Sequence, residues 1–404
     1  MLSEQSRPLI RASVPVLREH GPKIARTFYA RMFEAHPELK NVFNMGNQAI
    51  GTQQQVLSGA LVAYAANIDN VEAILPVVRR IAHKHAAVGV KPAHYPIVAR
   101  HLLSAIREVL GVAATTELLA AWDEAYWLLA GELIAAEARL YDRAASSAGA
   151  LQACVVTRTT RESAGVTSYY LEKLGGGSPG KFEPGQYVSV TVDLPDGSSR
   201  QLRQYSLSDA PHKPYWRLSV KREDALAGRP AGRVSSQLHG QVAAQQHMLV
   251  SPAYGDFTPL LAAGSDKPIA LLCAGIGITP LLSVLNTLAH AGSSRPVLFA
   301  HASQADDQRL FTSELRAAHA ALPGLRSRLF CEQLSAAHAE QRPITRGRML
   351  LTPELLMGFE DADFYLCGPE AFMREQWRAL VALGVSPLRI QREVFGPSLL
   401  EHLG

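Results

Sequence analysis

Apolar positions along the first third of the chain recur every three or four residues, as in Leu57, Leu61, Tyr64 and Ile68, and again in Leu118, Trp122, Ala125 and Leu129. That spacing predicts amphipathic helices from Pro8 to about Arg143. Helix-breaking signals fall at Gly21-Pro22, His36-Pro37, Gly46-Asn47, Lys91-Pro92 and Gly111, giving short connections and a compact all-α domain. The small, weakly polar run AASSAGA at 144–150 reads as a linker. Beyond it the period changes to two. Cys154–Val156, Val166–Leu171, Tyr187–Val192, Tyr205–Leu207 and Trp216–Val220 are β-branched or aromatic runs, with GGGSPG at 175–180 and PDG at 195–197 as expected hairpin turns. Several short strands in succession predict a small antiparallel barrel. From Pro268 the runs IALLCA, PVLFAHA, SRLFC and DFYLCG alternate with helical stretches such as Pro280–His290 and Glu370–Leu383, a βαβ pattern that predicts a parallel sheet.

Composition supports three cores rather than one. The chain has 404 residues, 47% hydrophobic and 19% charged, too long for a single core and too apolar for disorder. A net charge of +4, with Lys and Arg spread rather than clustered, argues against a nucleic-acid partner. The four cysteines, Cys154, Cys273, Cys331 and Cys367, lie far apart without CxxC spacing, which fits reduced thiols in a cytoplasmic protein. The first residues, MLSEQSRPLIRASVPVL, lack the basic start and apolar core of a signal peptide. The uncharged stretch Pro268–Leu285 raises the question of a membrane span. Gly275, Gly277 and Pro280 interrupt it, so strand, tight loop and helix are expected and no span.

Some residues carry chemistry. An iron-bearing cofactor in a helical pocket needs an imidazole, and RRIAHKHAAVGV offers His83 and His85. Two positions apart on a helix, they point away from each other, and spacing alone does not choose between them. In the strand-rich part, GQY at 185–187 and RQYS at 203–206 supply what a flavin needs: Arg203 for pyrophosphate, Tyr205 to stack on the isoalloxazine and Ser206 to reach its N5 edge, with Tyr187 and Gln204 alongside. GIGITP at 275–280 follows a strand and opens a helix, where backbone N–H groups favour a dinucleotide phosphate. It is not the GxGxxG fingerprint, because Pro280 and Leu281 stand where further glycine is expected. CGP at 367–369 follows one strand-helix set later.

The runs FYARMFEAHPELKNVFNMGNQ, QQQVLSGAL and KHAAVGVKPAHYPIV resemble a single-domain bacterial globin, and RQYS, GIGITP, CGP and EVFGP resemble a reductase of the ferredoxin reductase type. Together they resemble a flavohemoglobin. The resemblance implies a globin domain over 1–147, an FAD-binding β-barrel over 151–262 and an NAD(P)H-binding α/β domain over 266–404. It selects His85 as the ligand of heme b iron and assigns Tyr95 and Glu137 as its hydrogen-bond partners. Tyr29 is then distal, donating a hydrogen bond to iron-bound dioxygen, with Gln53 and Leu57 on the same side and Phe43 against the porphyrin. Lys84 is expected to face the flavin domain and meet Glu393. Gly232, Val234 and Ser235 in AGRVSSQLHG resemble a second phosphate-binding turn, although Ala231 replaces a glycine usual there. Gly275, Ile276, Gly277, Ile278, Thr279 and Pro280 are assigned to the nicotinamide dinucleotide with Cys367, Gly368 and Pro369. Glu393, Val394, Phe395, Gly396 and Pro397 are assigned near the flavin ring. Asp306, Asp307 and Arg309 give mixed cues for NADH against NADPH.

The activity the resemblance implies is nitric oxide dioxygenase, turning nitric oxide into nitrate with dioxygen and NAD(P)H through FAD and heme in a monomer. Two alternatives stand beside it. One is an oxygen- or lipid-binding sensor module with a resetting reductase, its apolar distal pocket admitting a fatty acyl chain. The other is a flavin reductase of quinones, ferric complexes or lipid hydroperoxides.

Overall fold

The computed structural model describes residues 2–43, 48, 51–193, 200–225, 230–261, 265–305, 310–334 and 344–396. They divide into two compact units, one built on the helical segment that ends near residue 151 and the other on most of the remaining chain. The helical segment runs α1 (Ser6–Ala12), α2 (Val14–Ala35), α3 (Thr52–Ala66), α4 (Val71–Val88), α5 (His94–Leu110) and α6 (Thr116–Arg143). Its core gathers Ile10, Leu17, Ile24, Phe28, Met32, Ile106 and Trp122, each at most 3% exposed.

Three of the expected helix ends appear at His36-Pro37, Lys91-Pro92 and Gly111. Gly46-Asn47 lies outside the described residues. The break expected at Gly21-Pro22 does not occur, because α2 runs straight through both residues. A proline inside a helix costs about 3 kcal/mol. That cost is outweighed here by burying Leu17, Ile24, Ala25, Phe28 and Met32 along one face. Gly21 serves the packing, since a Cβ there would overlap the Ser58 hydroxyl of α3.

The next segment is an antiparallel sheet of β1 (Gln152–Ser163), β2 (Val166–Lys173), β3 (Tyr187–Asp193), β4 (Arg200–Ser206), β5 (Trp216–Lys221) and β6 (His247–Val250), ordered β4-β3-β6-β1-β2-β5. A bridge between Leu207 and Leu218, with the Ser208 N–H donating to the Arg217 carbonyl at 2.9 Å, joins the two ends of that order and closes the barrel. GGGSPG is not a hairpin turn as expected: β2 pairs with β1 and β5, not β3. The segment is a crossing loop whose Gly175, Gly176 and Gly177 all have positive φ, and local glycine chemistry cannot reveal which strand comes next in the sheet. PDG lies outside the described residues. Helix α7 (Arg233–Gln241) sits between β5 and β6 in the chain.

The last segment is a parallel sheet of β7 (Ile269–Ala274), β8 (Val297–Ala305), β9 (Leu325–Gln333), β10 (Ile344–Arg346), β11 (Asp363–Cys367) and β12 (Ile390–Glu393), ordered β10-β9-β8-β7-β11-β12. Helices α8 (Ile278–His290), α9 (Thr312–Ala321), α10 (Pro353–Leu356) and α11 (Glu370–Ala382) connect the strands. Two apolar clusters, one around Leu271, Leu281 and Phe299 and one around Leu272, Phe364 and Met373, line opposite faces. Pro268–Leu285 thus resolves into a strand, a turn and a helix, and no helix among the described residues is long and apolar enough to cross a membrane. All four cysteines are buried in strands and none is in a disulfide.

Chain direction reverses its walk across the sheet at β7, with β8 on one side and β11 on the other. Ligands of open α/β sheets bind at such a switch point, outside the carboxyl ends of the strands. There the turn after β7 touches the turn after β11. A Cβ on Gly277 would lie 2.5 Å from the Cys367 carbonyl carbon and 2.7 Å from the Gly368 Cα. Both neighbours are backbone and cannot swing aside. Gly277→Ala is expected to destabilise the protein by about 1–3 kcal/mol, read as a lower thermal midpoint; an unchanged midpoint would show that the two turns can separate freely.

Candidate functional site

In the helical unit the buried group that organises its surroundings is Glu137 on α6, 2% exposed. An ionised carboxylate only accepts hydrogen bonds and is costly to bury without donors. It receives two, from the Tyr95 hydroxyl on α5 at 2.6 Å and from His85 Nδ1 on α4 at 2.8 Å. Accepting from Nδ1–H fixes the histidine tautomer and leaves the Nε2 lone pair on the opposite edge of a ring that is 34% exposed. Burial, then the hydrogen bond to Glu137, raises the Tyr95 pKa, so the phenol stays a neutral donor. The Tyr126 hydroxyl donates to the Tyr95 carbonyl at 2.7 Å and the Tyr141 hydroxyl to the Val90 carbonyl at 2.8 Å, bracing the start of α5 from α6. His83 lies about 200° round α4 from His85, on another face of the helix.

Tyr29 on α2 is 8% exposed. Its ring stacks on Phe33 at 5.8 Å and meets Phe43 edge-on at 5.8 Å. Burial raises its pKa and a hydrogen bond from the Gln53 side chain offsets part of that, so the hydroxyl is a neutral donor. Gln53 and Leu57 lie one turn apart on α3, both half-buried. The Gln53 Oε1 is buried with no partner among the described residues. A buried acceptor without a partner costs about 1–3 kcal/mol unless a ligand supplies a donor. Lys84 is half-buried on α4 and Glu393 is 4% exposed at the end of β12.

On the barrel, β4 carries Arg203, Gln204, Tyr205 and Ser206. Alternation places Arg203 with Tyr205 and Gln204 with Ser206. The Arg203 guanidinium donates to the Leu202 carbonyl at 2.7 Å, and Tyr187 is buried at the start of β3. Gly232 immediately precedes α7, and the Ser235 hydroxyl accepts from the Glu223 N–H and donates to the Gly232 carbonyl, each at 3.1 Å. The serine therefore shapes the turn, leaving the backbone N–H groups of the first helical turn to meet an anion.

On the parallel sheet, Gly275, Ile276 and Gly277 form the turn after β7, and Ile278, Thr279 and Pro280 open α8. Thr279 donates to the Ile276 carbonyl at 3.0 Å. Cys367 ends β11 and Gly368-Pro369 lead into α11. Beside them Val394, Phe395 and Gly396 follow β12; Phe395 is 47% exposed and Gly396 has φ +127°. Pro397, Asp306, Asp307 and Arg309 lie outside the described residues. Parallel register aligns Cys273 with Cys367 and Cys367 with Glu393, so three sequence motifs emerge from three adjacent strand ends.

The sequence reading missed His301. It lies on β8 opposite Cys273, is 3% exposed, and its Nε2 donates to the Gly275 carbonyl at 3.1 Å. The only signal was a histidine inside the apolar run PVLFAHA, where an uncompensated polar side chain demands a partner. Burial lowers its pKa to about 4, with the Gly275 bond opposing.

The chain is similar to known proteins over nearly its whole length. The globin family model matches residues 26–133, and the oxidoreductase NAD-binding domain model matches residues 271–377. A flavohemoprotein of Bordetella parapertussis is 46% identical over 406 residues, covering 98% of this chain and 99% of the relative. A crystal structure of a flavohemoglobin from Malassezia yamatoensis with bound FAD and heme aligns at TM-score 0.84 and 29% identity over 98% of this chain and all of that one. The FAD/NAD-binding domain of a nitric oxide dioxygenase from Vibrio cholerae aligns at TM-score 0.55 and 36% identity over 61% of this chain and 99% of its own.

His301 gives a pH prediction. Its folded pKa lies below the unfolded value of 6.5, so as pH falls the unfolded chain protonates first and stability is lost between pH 6.5 and about 4. The contribution amounts to about 3 kcal/mol. His301→Gln, which keeps a donor but cannot titrate, is expected to flatten that part of the stability profile; parallel profiles for the two proteins would refute it.

Proposed function

The chain belongs to the flavohemoprotein family, and from that premise we propose that it is a nitric oxide dioxygenase, oxidising nitric oxide to nitrate with dioxygen and NAD(P)H. The observation that carries this reading is the Glu137–His85–Tyr95 cluster on the same chain as a flavin-type and dinucleotide-type motif set. A protein that only stores oxygen needs neither a carboxylate behind its histidine nor a reductase.

The side chains fit the groups proposed. Glu137 takes up His85 Nδ1, which leaves Nε2 as the nitrogen that can bind heme iron. When bound, NAD(P)H supplies hydride, FAD converts it to single electrons, and heme iron supplies a site for a diatomic ligand. His85 would hold the iron. Glu137 and Tyr95 fix its ring and make the imidazole more basic, favouring oxygen activation over release. Tyr29 would donate a hydrogen bond to the diatomic ligand, with Gln53 holding its hydroxyl and Phe43 and Leu57 excluding water. Arg203, Tyr205 and Ser206 would hold the flavin with Tyr187 and Gln204, and the turn at Gly232, Val234 and Ser235 would take its phosphates. Gly275 to Pro280, with Cys367, Gly368 and Pro369, would hold the dinucleotide, and Phe395 would cover the flavin face. Each nitric oxide needs one dioxygen and one electron to become nitrate, so a hydride donor supports two turnovers.

The test is an anaerobic visible spectrum before and after NADH, followed by dioxygen and nitric oxide. Flavin bleaching, then ferrous heme, then two nitrates per NADH are expected. Ferric heme that never reduces, or NADH consumed without nitrate, would leave only a flavin reductase. Tyr29→Phe is expected to speed dioxygen dissociation roughly ten- to a hundredfold, the worth of one hydrogen bond to a charged acceptor; an unchanged off-rate removes that role. His85→Ala is expected to give flavin-replete protein without heme, and full heme occupancy would show that another residue is the ligand.

A further inference from the structure

A second charged cluster lies buried between the barrel and the parallel sheet, apart from any motif recognised in the sequence. Arg217 on β5 is 3% exposed. Its guanidinium pairs with Glu314 on α9 through contacts of 2.6 and 3.0 Å, and it also bonds the Ser208 carbonyl and, at 3.1 Å, the Ser208 hydroxyl. Asp209 lies 3.8 Å from the same guanidinium and accepts from the Tyr215 hydroxyl at 3.0 Å. Asn286 on α8 spans the two acids, donating to Asp209 at 3.0 Å and to Glu314 at 2.7 Å. Ser283, on the same helix, donates to the Asp209 carbonyl at 2.7 Å.

The position of this cluster in the chain matters more than its stability. Asp209 lies four residues after Tyr205 and three after Ser206, on the segment that carries the proposed flavin contacts. Asn286 and Ser283 lie on α8, whose first turn is the proposed dinucleotide-binding turn. Arg217 further stands over the ring of Phe311 at 5.1 Å, and Phe311, at φ +56°, leads into α9. One buried arginine therefore ties the flavin segment to α8 and α9 together, with donors from Tyr215 and Asn286 offsetting the excess negative charge of two acids. Buried charges that are paired and hydrogen-bonded are rigid, because any displacement leaves one of them unsatisfied.

We propose that the Arg217–Glu314–Asp209–Asn286 cluster is a positioning element for hydride transfer: it sets the approach of the nicotinamide carbon to the flavin N5. None of its members touches either cofactor in this proposal. The transferred hydrogen leaves the nicotinamide with its electron pair and joins N5, oxidising the nicotinamide and reducing the flavin. That step is steeply sensitive to misplacement, about a hundredfold for 1 Å. The inference rests on the reductase part of the functional reading above.

The experiment uses the full holoprotein and two mild variants at partly exposed members of the cluster, Glu314→Gln and Asn286→Ala. Flavin reduction is followed anaerobically by stopped flow over a range of NADH concentrations, with NADH and with NADH deuterated at the transferred position. Both variants are expected to lower the limiting rate about ten- to a hundredfold, with half-saturation, FAD content and heme content unchanged and an isotope effect at least as large as in the parent protein. An unchanged limiting rate overturns the proposal. So does a loss confined to half-saturation, or one that tracks lost flavin, since each marks a binding or folding role. If the parent protein itself leaves its flavin oxidised under both NADH and NADPH, the functional reading fails and this inference with it.

Discussion

A carboxylate buried at 2% exposure must be given donors or neutralised, and much of the helical unit's polar interior depends on how Glu137 is given them. Its two donors come from α4 and α5, so three helices are tied at one atom, Glu137 Oε1. The bond from His85 Nδ1 leaves the other nitrogen as the only one able to bind a metal. The bond from Tyr95 holds α5 where Tyr126 can reach its backbone. Replacing the carboxylate by an apolar side chain would leave packing intact while freeing the imidazole to rotate or change tautomer. The interaction therefore specifies orientation more than it stabilises the fold.

The parallel sheet solves a different problem, bringing separated sequence motifs to one place. Strand order puts β7, β11 and β12 side by side, and their carboxyl ends release the turn at Gly275, the turn at Gly368 and the segment at Phe395 together. The contact between the first two is so close that no side chain fits at Gly277. His301 then holds Gly275, at φ +54°, from beneath. Glycine is needed at 275 for its backbone angle and at 277 for space, so the two glycines of one short motif answer to different constraints.

The sequence made the elements legible because each carries its own periodicity. Helical spacing marked the first segment, alternation the second and βαβ succession the third. What it could not reveal was every feature decided by residues distant in the chain. Pro22 sits inside α2 because a buried face outweighs it, and GGGSPG crosses the barrel because β2 pairs elsewhere. The choice between His83 and His85 was closed by resemblance, not spacing; the contact that distinguishes His85 in the structure comes from Glu137, 52 residues further on. Arg217 and Glu314 are 97 residues apart, and each reads in sequence as an ordinary surface charge.

The protonation states of these sites obey one rule applied with opposite outcomes. Tyr29, Tyr95 and His301 are buried with few or weak charge-compensating partners, and burial disfavours the ionised form of each: the phenols are pushed up and the imidazole down. Arg217 is equally buried, yet its pKa is raised, because the loss of hydration is more than offset by Glu314 and Asp209. Burial alone therefore does not decide whether an interior group is charged; the partner does. A neutral phenol such as Tyr29 needs little more than an apolar surround, here phenylalanines and one bond from the Gln53 side chain. Groups that must stay charged need partners from several elements, so the charged clusters, rather than the neutral donors, tie those elements together.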